Sequence, residues 1–596
     1  MELNAEIIQE KKLVKINPET AKQFQIEELN LTVVRFGLAV AEARIVLSDN
    51  IDKNSIQISE DLLEKNKVPI TNDYHIMIKS KEIIIGPFIG IYIGKDNRPV
   101  KWRYERLHSF VKDFSNVNGL ICAFWDKDID FDKMQINAYC YDHSNAVWSK
   151  QLVPFPTVIH RNGGISYSLR DKFRGIYGNN FFNYNEMNKW VEMTALSQKK
   201  DVRQYVPETK LCENEVTFRD FLNKFNDIYF KPIRGRQGRN IHRICKLKNG
   251  KYKLTINSRK SYKEKKLESI DHLVDLLNKE INSSTFILQQ TIDLEVKNRV
   301  IDFRIRYEKT EKNDWELSIF AARVSGAGGV VSNRSAGGNV LTPEEAMKKY
   351  YDYSSRKIED AKKRLIEAGE KLVRAINRSN VELGKCAVDL GLDIHGEVWH
   401  IESNVITPND LTTWSFEKYE GMDRIGVLNT SYAKQLTGFN NIDEIISFGE
   451  KEVNTIYSKK DFNFNLRITG RLKGTRFLED IISFMKEHCI DIKKIEEKNT
   501  YILFKVKSKE NNLVKTLNEL RSIDQSNVIK AILFERAIKK RRRKSTKTAQ
   551  KLIEENKQLS LELQRVKKEI DKIQKSTSWK LTKPLRMLGK IVKRSK

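Results

Sequence analysis

The chain has 596 residues, 40% hydrophobic and 31% charged, with 107 Lys and Arg against 79 Asp and Glu for a net charge of +28. That length implies several domains rather than one core, and that composition fits soluble globular domains. No apolar run approaches the length that spans a bilayer, and the opening MELNAEIIQEKKLVK lacks a basic-then-apolar signal pattern.

Residues 27–95 alternate polar and apolar positions in short runs (LTVVRFGLAV, ARIVLS, HIMIKSKEIIIG), which predicts a β-rich N-terminal module. GPFIGIYIG (Gly86–Gly94) opens a new region, and residues 96–184 read as a second α/β segment of strands mixed with helices. From 185 to 449 the pattern is again mixed α/β. Within it, YFKPIRGRQGRNI (Tyr229–Ile241) is an apolar strand ending in Lys231, followed by a basic, glycine-containing loop. Backbone N–H groups of such a loop can cradle phosphates that a strand lysine neutralises. The alternative is an ordinary turn; it is not a Walker loop, because no GK[ST] follows. FILQQTID (Phe286–Asp293) is a strand ending in amides, and RVIDFRIRYE (Arg299–Glu308) puts Asp302, Arg304 and Arg306 on one strand face. AARVSGAGGVVSNRSAGGN (Ala321–Asn339) gives Arg323, then a glycine-rich loop with Asn333 and Arg334.

CAVDLGLDIHGEVWHIESN (Cys386–Asn404) reads as two strands joined by a hairpin turn at His395–Gly396. Alternation sends Glu402 and Asn404 the same way, and the hairpin lets Asp389 join them. Three oxygen ligands from two strands suit a hard cation such as Mg²⁺; a solvated hairpin with surface acids is the alternative.

Residues 464–536 predict the order βαββαβ, a ferredoxin-like sandwich. In 545–575, Leu552, Asn556, Leu559, Leu563, Val566, Ile570 and Ile573 are spaced alternately four and three apart. That is the a/d seam of a self-associating coiled coil, with Asn556 setting the register; a single amphipathic helix packed on the body is the alternative. Residues 536–596 hold 22 Lys and Arg against 5 Asp and Glu. The tail therefore carries most of the excess charge and attracts polyanions, nucleic acid or an anionic membrane. In 576–596, Trp579, Leu581, Leu585 and Ile591 interleave with Lys and Arg, as in an interfacial helix; a disordered basic tail is the alternative. The six cysteines (Cys122, Cys140, Cys212, Cys245, Cys386, Cys489) form no CxxC pair, which argues against a zinc site and a disulfide framework and points to a reducing cytoplasm.

The ordered set NKWVEM…VPETK, FKPIRGRQGRNI, ILQQTI, DFRI, AARV, SNRSAGG, VDLGLD and ESN resembles the ATP-grasp superfamily, and within it the YheC/YheD group of spore-coat-associated proteins. The resemblance runs from about Val158 to Leu436, and it implies an α/β ATP-grasp fold binding ATP and Mg²⁺. Under it, Lys189 and Lys231 contact phosphates, and Gly235, Gln237 and Gly238 belong to the lid loop. Gln289, Gln290 and Ile292 line the adenine hinge. Asp389, Glu402 and Asn404 hold Mg²⁺, and Arg304, Arg323, Asn333 and Arg334 surround the transferred phosphoryl group and the acceptor carboxylate. Three positions depart from the pattern: Asn240 for the third lid glycine, VITPND after Asn404, and amides at Gln289 and Gln290 where hinge carboxylates are common.

The implied activity is a carboxylate–amine ligase acting through an acyl-phosphate in bacterial cell-envelope or spore-coat biogenesis. The alternative is a non-catalytic, nucleotide-binding assembly protein. A nucleic-acid partner is disfavoured, since the body has no basic–aromatic recognition module. The expected assembly is a homodimer through the coiled coil, cytoplasmic, peripheral at the inner membrane face where the tail binds it. LRITGRLKGTRFLEDIISFMKEHCIDI resembles acylphosphatase, with Gly470–Phe477 as its phosphate loop. Leu478 replaces the catalytic arginine and no asparagine stands near Lys494–Ile495, so a non-catalytic module is expected.

Overall fold

The structure, a computed structural model, describes residues 4–26, 31–53, 55–70, 72–79, 82–95, 107–185, 187–235, 240–258, 261–283, 285–326, 339–379, 382–406, 420–439, 445–447, 461–470, 477–488, 490–497, 501–509, 513, 516–517, 520 and 529–536. The predicted coiled coil and tail, and most of the acylphosphatase-like phosphate loop, lie outside them. No helix among the described residues is long and apolar enough to cross a membrane.

Four sheets organise the body. The N-terminal sheet has eight strands in the order Asn4–Ile8, Ser55–Ser59, Leu13–Ile16, Ala39–Leu47, Leu31–Phe36, Glu82–Gly86, His75–Lys79 and Ile445–Ser447. It therefore begins at Asn4, before the β-rich stretch read from residue 27. The second sheet starts with four parallel strands, Phe181–Phe182, Val158–Arg161, Phe88–Gly94 and Leu120–Trp125. Phe88–Gly94 and Leu120–Trp125 are buried at every position, as expected of parallel strands covered on both faces. The sheet continues through Gln135–Asp142 and Val147–Pro154, and then Ile529–Arg536 pairs in parallel with Val147–Pro154. Beyond that come Asp461–Gly470, Tyr501–Lys509 and Asp491–Glu497.

The third and fourth sheets carry the residues singled out in the sequence. The third is antiparallel, ordered Thr209–Leu211, Phe286–Gln290, Asp227–Pro232, Ile241–Lys246, Tyr252–Ser258 and Ser261–Leu267. Helices Glu215–Phe225 and Ile270–Ile281 share its core, through Phe218, Phe221 and Leu222 from one and Leu273, Leu277 and Ile281 from the other, with Ile228, Phe230, Leu254 and Leu288 from the strands. Both helices are stopped at their N-termini by side chains: Asn214 accepts from Thr217 N and Ser269 from His272 N.

The fourth sheet, also antiparallel, is ordered Asn339–Leu341, Trp315–Val324, Arg299–Lys309, Lys385–Leu392 and Val398–Asn404. One of its faces is apolar and shares a core with the helix Ser355–Ser379. Ile358, Ala361, Leu365, Ala368, Leu372 and Ile376 recur three or four apart on that helix and are buried in one cluster with Phe303, Ile305, Tyr307, Val388 and Leu390. Gly369 lies where the helix passes close to Tyr307. A Cβ there would meet the Tyr307 hydroxyl at 3.0 Å, and that hydroxyl donates to Ile366 O at 2.7 Å. The other face carries Asp302, Arg304, Arg323, Asp389, Glu402 and Asn404 toward the site, and packs Ile319 and Ala321 on Ile425 of the helix Glu420–Thr437.

Candidate functional site: a polar cleft between two antiparallel sheets

On the third sheet, Tyr229 pairs with Gln289 and with Arg243, so these side chains and that of Lys231 share the face opposite the helices. Lys231 is nearly buried. Its ammonium donates to Gln289 Oε1 at 2.6 Å and lies 4.7 Å from the centroid of the Tyr229 ring. Gln289 in turn donates through Nε2 to Thr209 Oγ1 at 3.0 Å. Burial, and then the charge of Lys189, push Lys231 down to about 8, while Glu402 pulls it upward. Lys189 begins the helix Lys189–Ser197, capped by Asn188, and its ammonium donates to Gly235 O at 3.1 Å, at the start of the glycine-containing loop. Gln290 is fixed by two bonds with Glu208: its N donates to Glu208 O at 2.9 Å, and its Oε1 accepts from Glu208 N at 3.3 Å. Ile292 lies past the strand end, its carbonyl accepting from Leu294 N.

On the fourth sheet the register brings Asp302 opposite Arg323, Arg304 opposite Asp389, Asp389 opposite Glu402 and Ala387 opposite Asn404. All of these lie on the polar face. Arg304 grips Asp389 with two bonds of 2.8 and 2.7 Å, and Arg323 grips Asp302 with two of 2.6 and 2.7 Å. A further bond from Arg323 to Asp389, at 2.8 Å, joins the pairs into one lattice. The four side chains are almost entirely buried. Burial alone would raise the Asp389 carboxyl, but the two guanidiniums hold it well below the usual carboxylate range. Glu402 is pushed the other way, by burial and by the neighbouring Asp389 charge. Arg306 faces the same side but turns inward, fully buried, to Glu308.

The turn joining the last two strands is built by Asp393. Its Oδ1 accepts from His395 N and Glu397 N at 2.9 and 2.8 Å, and its Oδ2 from Trp399 Nε1 at 2.9 Å, while Gly396 takes φ +84. The acid thus closes the hairpin that sets Asp389 against Glu402.

The structure therefore places Lys189, Lys231 and Gln289 on one wall and Arg304, Arg323, Asp389, Glu402 and Asn404 on the other. The walls sense each other electrostatically: Glu402 acts on Lys231, and Lys189 on Glu402. Gly235, Gln290 and Ile292 border the first wall. Gln237, Gly238, Asn333 and Arg334 lie outside the described residues.

The donor set suits a hard cation. Among the described residues Glu402 has no hydrogen bond or ion pair, and the buried Asn404 amide nitrogen has no partner. Amide nitrogen and oxygen are interchangeable by a flip, so Asn404 can present oxygen instead. No three His, Cys, Asp or Glu side chains among the described residues form a ready cage.

Two features escaped the sequence reading. Gln289 contributes its side chain as the partner of Lys231, a pairing that the hinge reading did not include. His400 and Glu192 form a buried pair behind the cleft, Nε2 to Oε1 at 2.8 Å. The motif WHIESN contains His400, but alternation would put it beside Glu402 rather than behind it.

The family described as YheC/D like ATP-grasp matches residues 178–436. The endospore coat-associated protein YheD of Bacillus subtilis (strain 168) is 24% identical over 384 residues, covering 62% of this chain and 83% of YheD. The endospore coat-associated protein YheC of the same organism is 24% identical over 226 residues, covering 36% of this chain and 61% of YheC. Among solved structures, N5-carboxyaminoimidazole synthetase from Staphylococcus aureus complexed with ADP aligns at TM-score 0.35 and 13% identity, over 73% of this chain and 97% of that one. D-alanyl-alanine synthetase A from Vibrio cholerae aligns at TM-score 0.34 and 11% identity, over 59% and 98%. Residues 178–436 of this chain are thus similar to the YheC/D-like ATP-grasp family.

Proposed function

We propose that this chain is an ATP- and Mg²⁺-dependent carboxylate–amine ligase acting in bacterial cell-envelope or spore-coat biogenesis. The observation that carries the proposal is the convergence of two lysines on one wall with two arginines, two carboxylates and an asparagine on the other. Lys189 and Lys231 neutralise and orient the ATP phosphates, held in place by Gly235 and Gln289. Glu402, Asn404 and Asp389 hold Mg²⁺, which when bound neutralises phosphate charge and polarises the γ-phosphoryl group. Arg304 and Arg323 offset charge on the acceptor carboxylate and on the transferred phosphoryl group. A carboxylate oxygen attacks the γ-phosphorus and ADP leaves; an amine nitrogen then attacks the acyl carbon, phosphate leaves, and an amide remains. Coat-associated relatives supply the biological setting.

A second reading, a nucleotide-binding assembly protein without catalysis, draws on one observation: both Asp389 oxygens are already engaged by arginines. Phosphate release separates the two. The full chain with ATP and Mg²⁺ is incubated with pools of carboxylates and amines, and phosphate and amide are measured together. The ligase reading expects phosphate and amide in equal amounts, dependent on both organic substrates. Tight ATP binding without amide from any pool supports the assembly reading instead.

A further inference from the structure

We propose that the buried His400–Glu192 pair is a positioning element that sets the Lys189 ammonium in the cleft. The proposal rests on the reading of that cleft as a nucleotide-phosphate site.

Its geometry begins with a bulge. Asp389 pairs with Glu402, but the next residue, Leu390, pairs with His400, so three residues of one strand oppose two of the other and Ile401 is the extra one. A bulge of this kind re-aims neighbouring side chains. Glu402 keeps to the polar face with Asp389, and His400 follows Leu390 to the face that packs against helices. There His400 is buried and meets Glu192, also buried, at 2.8 Å, with Ser403 Oγ at 3.4 Å from the same ring nitrogen. The other nitrogen, Nδ1, is buried without a partner. The bond to Glu192 is therefore the main polar contact that fixes the ring.

Glu192 lies three residues after Lys189 on one short helix, and residues so spaced share a face. The helix is held at its start by Lys189 N donating to Ile233 O at 3.1 Å, and Leu196 anchors its far end in the core beneath the fourth sheet. Glu192 is the polar tie between them, and it fixes the helix to the strand that also carries Glu402 and Asn404. One strand thus carries the predicted metal donors on one face and the strut for a phosphate lysine on the other. A lysine on a flexible stem gains phosphate affinity when its backbone is held at the right distance, and the pair supplies that constraint across the two walls.

The test is calorimetric titration of the full chain with ATP and with adenosine, in Mg²⁺ buffer, with melting curves taken in parallel. Glu192→Ala is expected to weaken ATP about tenfold and leave adenosine unchanged. Glu192→Gln, which keeps an acceptor for His400, is expected to retain affinity within about twofold. The variant Glu192→Ala combined with Lys189→Ala should bind ATP no more weakly than Lys189→Ala alone, because the strut acts only through Lys189. If Glu192→Ala does not fold, His400→Leu takes its place in the same cycle. Additive losses, or equal losses for ATP and adenosine, would overturn the strut. If Lys189→Ala alone leaves ATP affinity intact, the phosphate reading itself fails and the strut fails with it; an effect of Lys189→Ala without coupling to Glu192 removes only the strut.

Discussion

Lys231 concentrates the chemistry of the cleft in one side chain. Its burial and the neighbouring Lys189 charge push it down to about 8, and the bond to Gln289 fixes its direction. An ammonium so destabilised gains more than an exposed one when a phosphate replaces lost solvation. Below about 8 the free site is charged; above it the lysine is neutral and phosphate loses its counter-charge. ATP affinity should therefore fall as pH rises through about 8, and Lys231→Ala should abolish that slope while weakening ATP far more than adenosine. Calorimetry between pH 7 and pH 9.5 checks both; a slope that survives in Lys231→Ala would place the titrating group elsewhere. Its place at the end of an apolar strand, before a glycine-containing loop, was readable in the sequence. Its partner was not: an amide on a neighbouring strand becomes a partner only once register is known.

The hairpin Lys385–Asn404 shows what alternation can and cannot determine. It correctly groups Asp302, Arg304 and Arg306 on one face, and Asp389 with Glu402 and Asn404, because each follows from a period of two. It fails at Ile401, where one extra residue reverses the facing of everything before it. Nothing local in VWHIESN marks that position, since the bulge arises from how Asp389 and Leu390 meet the partner strand. The N-terminal strands Asn4–Ile8 and Leu13–Ile16 escaped for a related reason: four or five residues are too few to show a period. Asp393 also took a part that alternation does not reveal, closing the turn with three acceptor bonds rather than facing the cleft. Asp393→Ala should destabilise the domain by about 1–3 kcal/mol, since two backbone N–H groups and an indole lose their acceptor. Urea denaturation reads this directly, and an unchanged midpoint would mean that water replaces the carboxylate at no cost.

Across the molecule, the third and fourth sheets supply the cleft, and the second sheet joins the N-terminal half to the C-terminal module through Val147–Pro154 and Ile529–Arg536. That junction could not be read from sequence, because parallel pairing over so long a separation leaves no local trace. The heptads of 545–575 and the basic end 576–596 are sequence-level proposals: a parallel dimer that sets two weak interfacial anchors side by side. Removing 576–596 should reduce flotation with anionic vesicles. Changing Leu559 and Leu563 together to Asp should give a monomer by sedimentation that also floats poorly; a monomer that floats as well as the parent would leave charge attraction as sufficient.

A Mg²⁺-dependent nucleotide site in the cleft requires ATP and the metal to bind there together. The most direct measurement is calorimetric titration of the full chain with ATP, with and without Mg²⁺, for the parent and for Glu402→Gln. Glu402 makes no hydrogen bond or ion pair among the described residues, so Gln at this position removes charge without breaking the arginine lattice. Mg²⁺ is expected to strengthen ATP binding by about tenfold or more in the parent and much less in the variant. Equal enhancement by Mg²⁺ in both proteins, or no ATP binding by the parent, would contradict it.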